Sequence, residues 1–117
     1  MMPLLIPIDA AGVEPIAIAI AQDRIVEGAP EARAWMMERH AGGSLTSGIW
    51  EATPGIWRVA YDKWEFCSIL SGLSIVTEEG GAPRTVRAGD AFIIRPGFTG
   101  LWQVVETTRK HFVIHRA

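Results

Sequence analysis

Cysteine is the first thing this chain is short of: Cys67 is its only one. A single thiol cannot close an internal disulfide, so no oxidising compartment is implied. Positive charge is not in excess either. The 117 residues carry 11 Lys and Arg against 13 Asp and Glu, a formal net charge of −2. No basic surplus is left to neutralise a phosphate backbone, which argues against nucleic-acid binding. Long apolar runs are missing as well. Ile16 to Ala21 is far too short to cross a bilayer. The opening MMPLLIPIDAAG lacks a basic region and is interrupted by Pro3, Pro7 and Asp9, so it is not expected to act as a signal peptide. There is no internal repeat, low-complexity tract or linker. These absences leave one ordinary domain, cytoplasmic by default, with neither a membrane nor a nucleic-acid partner.

Apolar residues make up 49% of the chain and charged residues 21%, as in soluble globular domains. A domain of this size buries roughly 65% of its unfolded surface, enough for a real core. Ile16, Ile18 and Ile20 alternate with alanines, a strand pattern. Gln22 to Ala29 is polar, ends near Gly28 and reads as a loop. In Pro30 to His40, Pro30 fits the first position of a helix and Ala32, Trp35, Met36 and Arg39 follow at helical spacing, so the pattern alone predicts a short helix. From Ser44 onward the signal is β. Segments 45–53, 56–61, 64–70, 73–79, 83–87, 90–94, 101–106 and 109–115 are strand-length and rich in Ile, Val, Thr, Phe and Trp. Gly and Pro turns separate most of them. Many short strands at close spacing indicate an all-β sandwich or barrel.

Two blocks carry a family resemblance. Glu65, followed after six residues by Gly72, matches the second half of the first cupin motif. Gly89-Asp90, an apolar run and then Arg95-Pro96-Gly97 match the second. The wider run SGIWEATPG…YDKWEFCSILSG…AGDAFIIRPGFTGLW…RKHFVI, with Trp50, Trp102 and Arg109-Lys110-His111, resembles one branch across residues 31–115. That branch is the small single-domain cupins related to the (S)-ureidoglycine aminohydrolase cupin domain and to ethanolamine-utilisation cupins. The resemblance implies a jelly-roll barrel (a double-stranded β-helix) with little helix, often dimeric, with a pocket in its mouth. Residues 1–30 would supply N-terminal strands and a loop packing on or extending the barrel, and residues 31–117 the barrel itself. It also implies that 35–39 is extended, against the helix that the pattern predicts.

Cupins typically hold a transition metal on histidines and a glutamate, a donor set suited to Mn, Fe, Ni or Zn. Here the glutamate is Glu65. The first-motif histidine positions fall on Arg58 and Ala60, or on Val59 and Tyr61, according to the spacing taken, and the second-motif position falls near Gly100. None is histidine. Of the histidines present, His111 and His115 share a strand face opposite Phe112 and Ile114, which are expected to point inward, and His40 lies in a turn. One carboxylate does not make a tight metal site, so no metal and no cofactor are assigned.

Glu65 shares a strand face with Cys67 and Ile69. Buried there, its pKa is expected to rise, which suits a general acid or base; the alternative is a structural carboxylate held by Tyr61 or Arg58. Tyr61 is the second catalytic candidate, against a core tyrosine with a satisfied hydroxyl. Arg58 at the mouth would clamp a carboxylate or phosphate, or else be a solvated arginine. Cys67, Trp50 and Trp102 complete the candidate pocket, with an inert buried thiol and plain core packing as the competing readings. Gly89-Asp90 reads as a turn with a local aspartate cap.

Three functional readings follow. The first is a small-molecule-binding cupin of unassigned substrate with a degenerate metal site, acting, if it is an enzyme, on a small polar metabolite of nitrogen or amine metabolism. The second is a non-catalytic sensor or dimerisation module, working as a homodimer. The third is a metal-dependent cupin enzyme with a divalent transition metal on non-standard ligands.

Overall fold

The computed structural model describes residues 3–116. Met1, Met2 and Ala117, at the ends of the two expected regions, lie outside the described residues. The strands in chain order are β1 (Ile16–Ile18), β2 (Ile25–Gly28), β3 (Ala32–His40), β4 (Leu45–Ala52), β5 (Gly55–Ala60), β6 (Trp64–Glu78), β7 (Arg84–Arg87), β8 (Ala91–Ile94) and β9 (Thr99–His115). Two 3-10 turns, Gln22–Arg24 and Ala41–Gly43, interrupt them.

The long strands β6 and β9 pair with each other from Trp64↔His115 to Glu78↔Gly100. Their halves take different neighbours. The Thr108–His115 half of β9 pairs with β4, and the Thr99–Val104 half with β5. Likewise Glu65–Ser68 of β6 pairs with β8, and Leu73–Val76 with β7. The result is two antiparallel faces that share β6 and β9: β1-β3-β4-β9-β6-β8 and β2-β5-β9-β6-β7. One core joins them, with Ala32, Ala52, Ile69 and Ile94 of the first face packed with Trp57, Val76, Val86, Trp102 and Val104 of the second. This is the all-β jelly roll that the alternation and the motifs predict.

The bend between the faces is a change of register. The ladder shifts between Ile69 and Ser74. Buried positions on β6 pass from 65, 67 and 69 to 74 and 76, whereas β9 keeps the even positions 102, 104, 108, 110 and 112 inside. An extra residue in one strand reverses its facing and bends it. Gly72 sits at this point with φ +88°, and a Cβ there would overlap the Thr107 carbonyl oxygen across the ladder. Segments 64–70 and 73–79, and likewise 101–106 and 109–115, are therefore halves of single bent strands.

Two further expectations are corrected. The polar stretch 22–29 is not all loop, because β2 pairs with the edge of β5 through Ile25↔Trp57 and Gly28↔Gly55. It is an edge strand with mostly exposed side chains, so no apolar alternation marks it. The helix predicted over 30–40 is also absent. β3 pairs along its length with β4, burying Ala32 and Ala34 inward and Trp35 outward. Trp35 lies under the guanidinium groups of Arg33 and Arg109, 4.8 and 4.5 Å from its ring, and both arginines also bridge Glu51. Tertiary pairing has overridden the helical preference of Ala, Met and Arg.

Candidate functional site

Between the two faces lies a cavity of about 520 Å³. β1 and the following residues 19–21 form one side, and β5 with Tyr61 and Lys63 forms the other. Glu65 of β6 and Trp102, Lys110, Phe112 and Ile114 of β9 close it from within.

Its most polar feature is an ion pair. The Lys110 ammonium donates to Glu65 Oε2 at 2.9 Å, and the two side chains are 4% and 5% exposed. The same ammonium lies 3.5 Å from Cys67 Sγ and faces the rings of Trp50 and Trp102 at 4.6 and 4.5 Å. Cation–π attraction to two indoles replaces part of its lost hydration. Trp102 is in turn held from behind. Its indole N–H donates to Ser74 Oγ at 3.2 Å, the Ser74 hydroxyl reaches Thr108 Oγ1 at 2.6 Å, and the Thr108 hydroxyl donates to the Glu106 carbonyl at 2.8 Å. With Thr108's proton used on Glu106, Ser74 is the donor of the middle bond. Trp50 packs edge-on against Trp102 at 5.4 Å and tilted against Trp57 at 6.3 Å.

The charges of the floor follow from this packing. Burial alone would raise the Glu65 pKa, but the Lys110 charge and its hydrogen bond outweigh burial and hold it below the ordinary carboxylate value. The expected upward shift is thus reversed. Lys110, not Arg58, is the main partner, and Tyr61 adds a smaller hydrogen-bonding contribution to the carboxylate. Burial would lower the Lys110 pKa, but Glu65 foremost raises it. Burial lifts the Tyr61 phenol well above its usual range and pushes the Cys67 thiol up to about 12. None of these four groups changes charge near neutrality.

Of the residues singled out from sequence, Glu65, Tyr61, Trp50 and Trp102 line the cavity and Arg58 stands at its exposed rim. Cys67 is fully buried beside Lys110 and does not line it. His111 is half-buried, His40 and His115 are exposed, and none of the three reaches the cavity. Lys110 was missed, although the alternation that turns Phe112 and Ile114 inward turns it inward too. A lysine amid an Arg-Lys-His run reads as surface, and only the period-two count speaks against that.

Residues 39–112 match the family Cupin_3, the EutQ-like cupin domain. The chain belongs to the EutQ-like cupin family. Among solved structures, this cupin is similar to a DUF861-family protein from Pseudomonas syringae, with a TM-score of 0.81 at 18% identity over 92% of the chain. The chain spans 46% of that protein's length. A DUF861-family protein from Thermotoga maritima shares 36% identity over 55% of the chain and 73% of its own, with a TM-score of 0.53. The Clostridium difficile EutQ protein gives a TM-score of 0.65 at 13% identity over 86% of the chain and 82% of its own. No curated protein matches the chain.

The family's usual metal can be tested against these residues. The cupin's buried Trp57 and half-buried Val59 face inward on β5, whereas Arg58 and Ala60 are exposed. The first-motif positions are therefore Val59 and Tyr61. One has no donor atom, and the other is a phenol held protonated. The second-motif position, Gly100, pairs with Val59, and any side chain there would overlap the Thr77 carbonyl oxygen. Glu65 is already committed to Lys110. Among the described residues no group of three or more His, Cys, Asp or Glu comes together. The donor set does not fit a transition metal.

Proposed function

We propose that this cupin domain binds a small polar molecule in the cavity, anchored by the Lys110–Glu65 pair and Tyr61 against the indole wall. The observation that carries the reading is the pair itself. Enclosing two charges costs several kcal/mol per ion, of the order that apolar residues of similar volume would avoid. Here the cost falls on the wall of a cavity of about 520 Å³ in which a ligand can use the charges. With no floor group titrating near neutrality, the arrangement suits binding and the electrostatic stabilisation of a polarised ligand better than proton transfer. The resemblance to ureidoglycine aminohydrolase and ethanolamine-utilisation cupins makes small nitrogen-containing metabolites the first compounds to screen. A cytoplasmic site of action is proposed with this reading.

The test is calorimetric titration of wild type and of the double variant Glu65→Leu/Lys110→Met, with folding checked by thermal melting. Binding that is lost in a stably folded double variant supports the reading. Unchanged binding assigns the pair to structure alone.

A second reading, a homodimerisation module, is favoured by the segment before β1. Leu4 and Leu5 are 103% and 81% exposed, and Ile6 and Ile8 are also exposed. Contiguous apolar side chains in water mark an interaction surface. The two readings are compatible, since the cavity lies inside the barrel.

A further inference from the structure

Charge is distributed unevenly around the cavity. Arg24, Arg58, Lys63, Lys110 and Arg116 all line it, and among the described residues Glu65 is the only carboxylate that does. The whole chain has 13 acidic and 11 basic residues, so this sign is local and opposes the net charge of −2. Two of the cations are already engaged, Lys110 with Glu65 and Arg116 with Asp62 at 3.1 Å. Among the described residues, Arg24, Arg58 and Lys63 have no carboxylate within salt-bridge distance. Lys63 instead rests over the Tyr61 ring at 5.1 Å.

We infer that the cavity takes a small organic anion, a carboxylate or phosphate on a flat or apolar body, with its charge at the Arg58–Lys63 mouth and its body along the indoles, beside the Lys110–Glu65 pair that Trp50 and Trp102 hold. A concave site lined by one sign of charge focuses its field on what enters. Arginine's fork matches both carboxylate and phosphate oxygens. The wall behind is apolar and aromatic, from Ile16 and Ile18 on one side to Trp50, Trp57 and Trp102 on the other. Such a wall pairs with a flat or apolar body rather than with a second charge. A simple cationic amine is disfavoured by the same field. This inference rests on the cavity being a ligand site, and adds the ligand's charge and shape.

The experiment uses four probes of one shape and different charge: benzoate, phenyl phosphate, benzamide and benzylamine. Their binding is followed by tryptophan fluorescence at low and high salt, in wild type and in Arg58→Gln/Lys63→Gln. The inference predicts that benzoate or phenyl phosphate binds about tenfold or more tightly than benzamide. Benzylamine gives no saturable change, and salt weakens only the anions. The ratio of the two anions identifies the preferred headgroup. The double variant loses about tenfold for the anion, leaves benzamide unchanged and melts as wild type does. Benzamide or benzylamine binding as tightly as the anions overturns the charge inference and leaves the cavity reading standing. No saturable change with any of the four probes contradicts both.

Discussion

Lys110→Met alone leaves the Glu65 carboxylate buried without its counter-charge, and Glu65→Gln alone strands the ammonium. Each should cost about 3–5 kcal/mol. The apolar double variant, Glu65→Leu/Lys110→Met, should recover most of that loss, because neither charge then has to be desolvated. Urea denaturation of the three variants measures this, and simple addition of the two single costs in the double would contradict it. The pH dependence carries a sign at each end. Glu65 has a depressed pKa, so its contribution is present above its ordinary value of 4.5 and lost as pH falls below it. At the alkaline end Cys67, Tyr61 and Lys110 all hold their protons more tightly when folded. The unfolded chain starts to release the Cys67 proton near its ordinary value of 9.0, whereas the folded chain keeps it until about 12. Stability should therefore fall from about pH 9 upward, by about 1.4 kcal/mol per pH unit for each such group. In Cys67→Ala the fall should begin about one unit higher, where the unfolded tyrosine starts to ionise. Denaturation midpoints across that range check it, and an unmoved onset would count against the buried thiol.

At the scale of the strands, the turn at Gly72 decides whether one sheet can fold into two faces. Its φ of +88° and the Thr107 carbonyl across the ladder leave no room for a Cβ. Gly72→Ala should destabilise by about 3 kcal/mol or more, from left-handed strain plus backbone displacement. A thermal melt within a degree or two of wild type would show that the bend is soft. The individual strand segments from 45 to 115 were legible because period-two apolar patterning reports a buried face directly. Their joining into β6 and β9 was not, because Ser71-Gly72 and the exposed Val105–Thr107 look like turns in one dimension and are bends only once both strands pair. β2 was invisible for a related reason. Its pairing uses backbone groups at the edge of β5, and backbone pairing leaves little trace in side-chain pattern. The helical reading of 30–40 failed because Ala, Met and Arg favour a helix only until a partner strand offers the backbone a ladder. At the site, Glu65, Tyr61 and the indoles were legible as an inward polar and aromatic set. The partner of Glu65 lies 45 residues away on β9; alternation turns Lys110 inward, but which group it meets follows from register, Glu65↔Ile114 and Ile69↔Lys110, together with side-chain reach.

Taken whole, the molecule is a jelly roll with two unusual surfaces, a cationic cavity and an exposed apolar segment at residues 4–8. We expect the full chain to be a dimer by light scattering, and Leu4→Ser/Leu5→Ser to shift it toward monomer. A monomeric wild type would remove the assembly reading and leave the cavity untouched. The central claim is that the Lys110–Glu65 pair stands in the barrel to hold a ligand. It is tested most directly by the affinity of benzoate and phenyl phosphate for wild type and for Glu65→Leu/Lys110→Met, measured by calorimetry on folded protein. The account predicts a double variant about as stable as wild type whose affinity for the bound probe has fallen by about tenfold or more. A stable double variant that binds the probe as wild type does would contradict it.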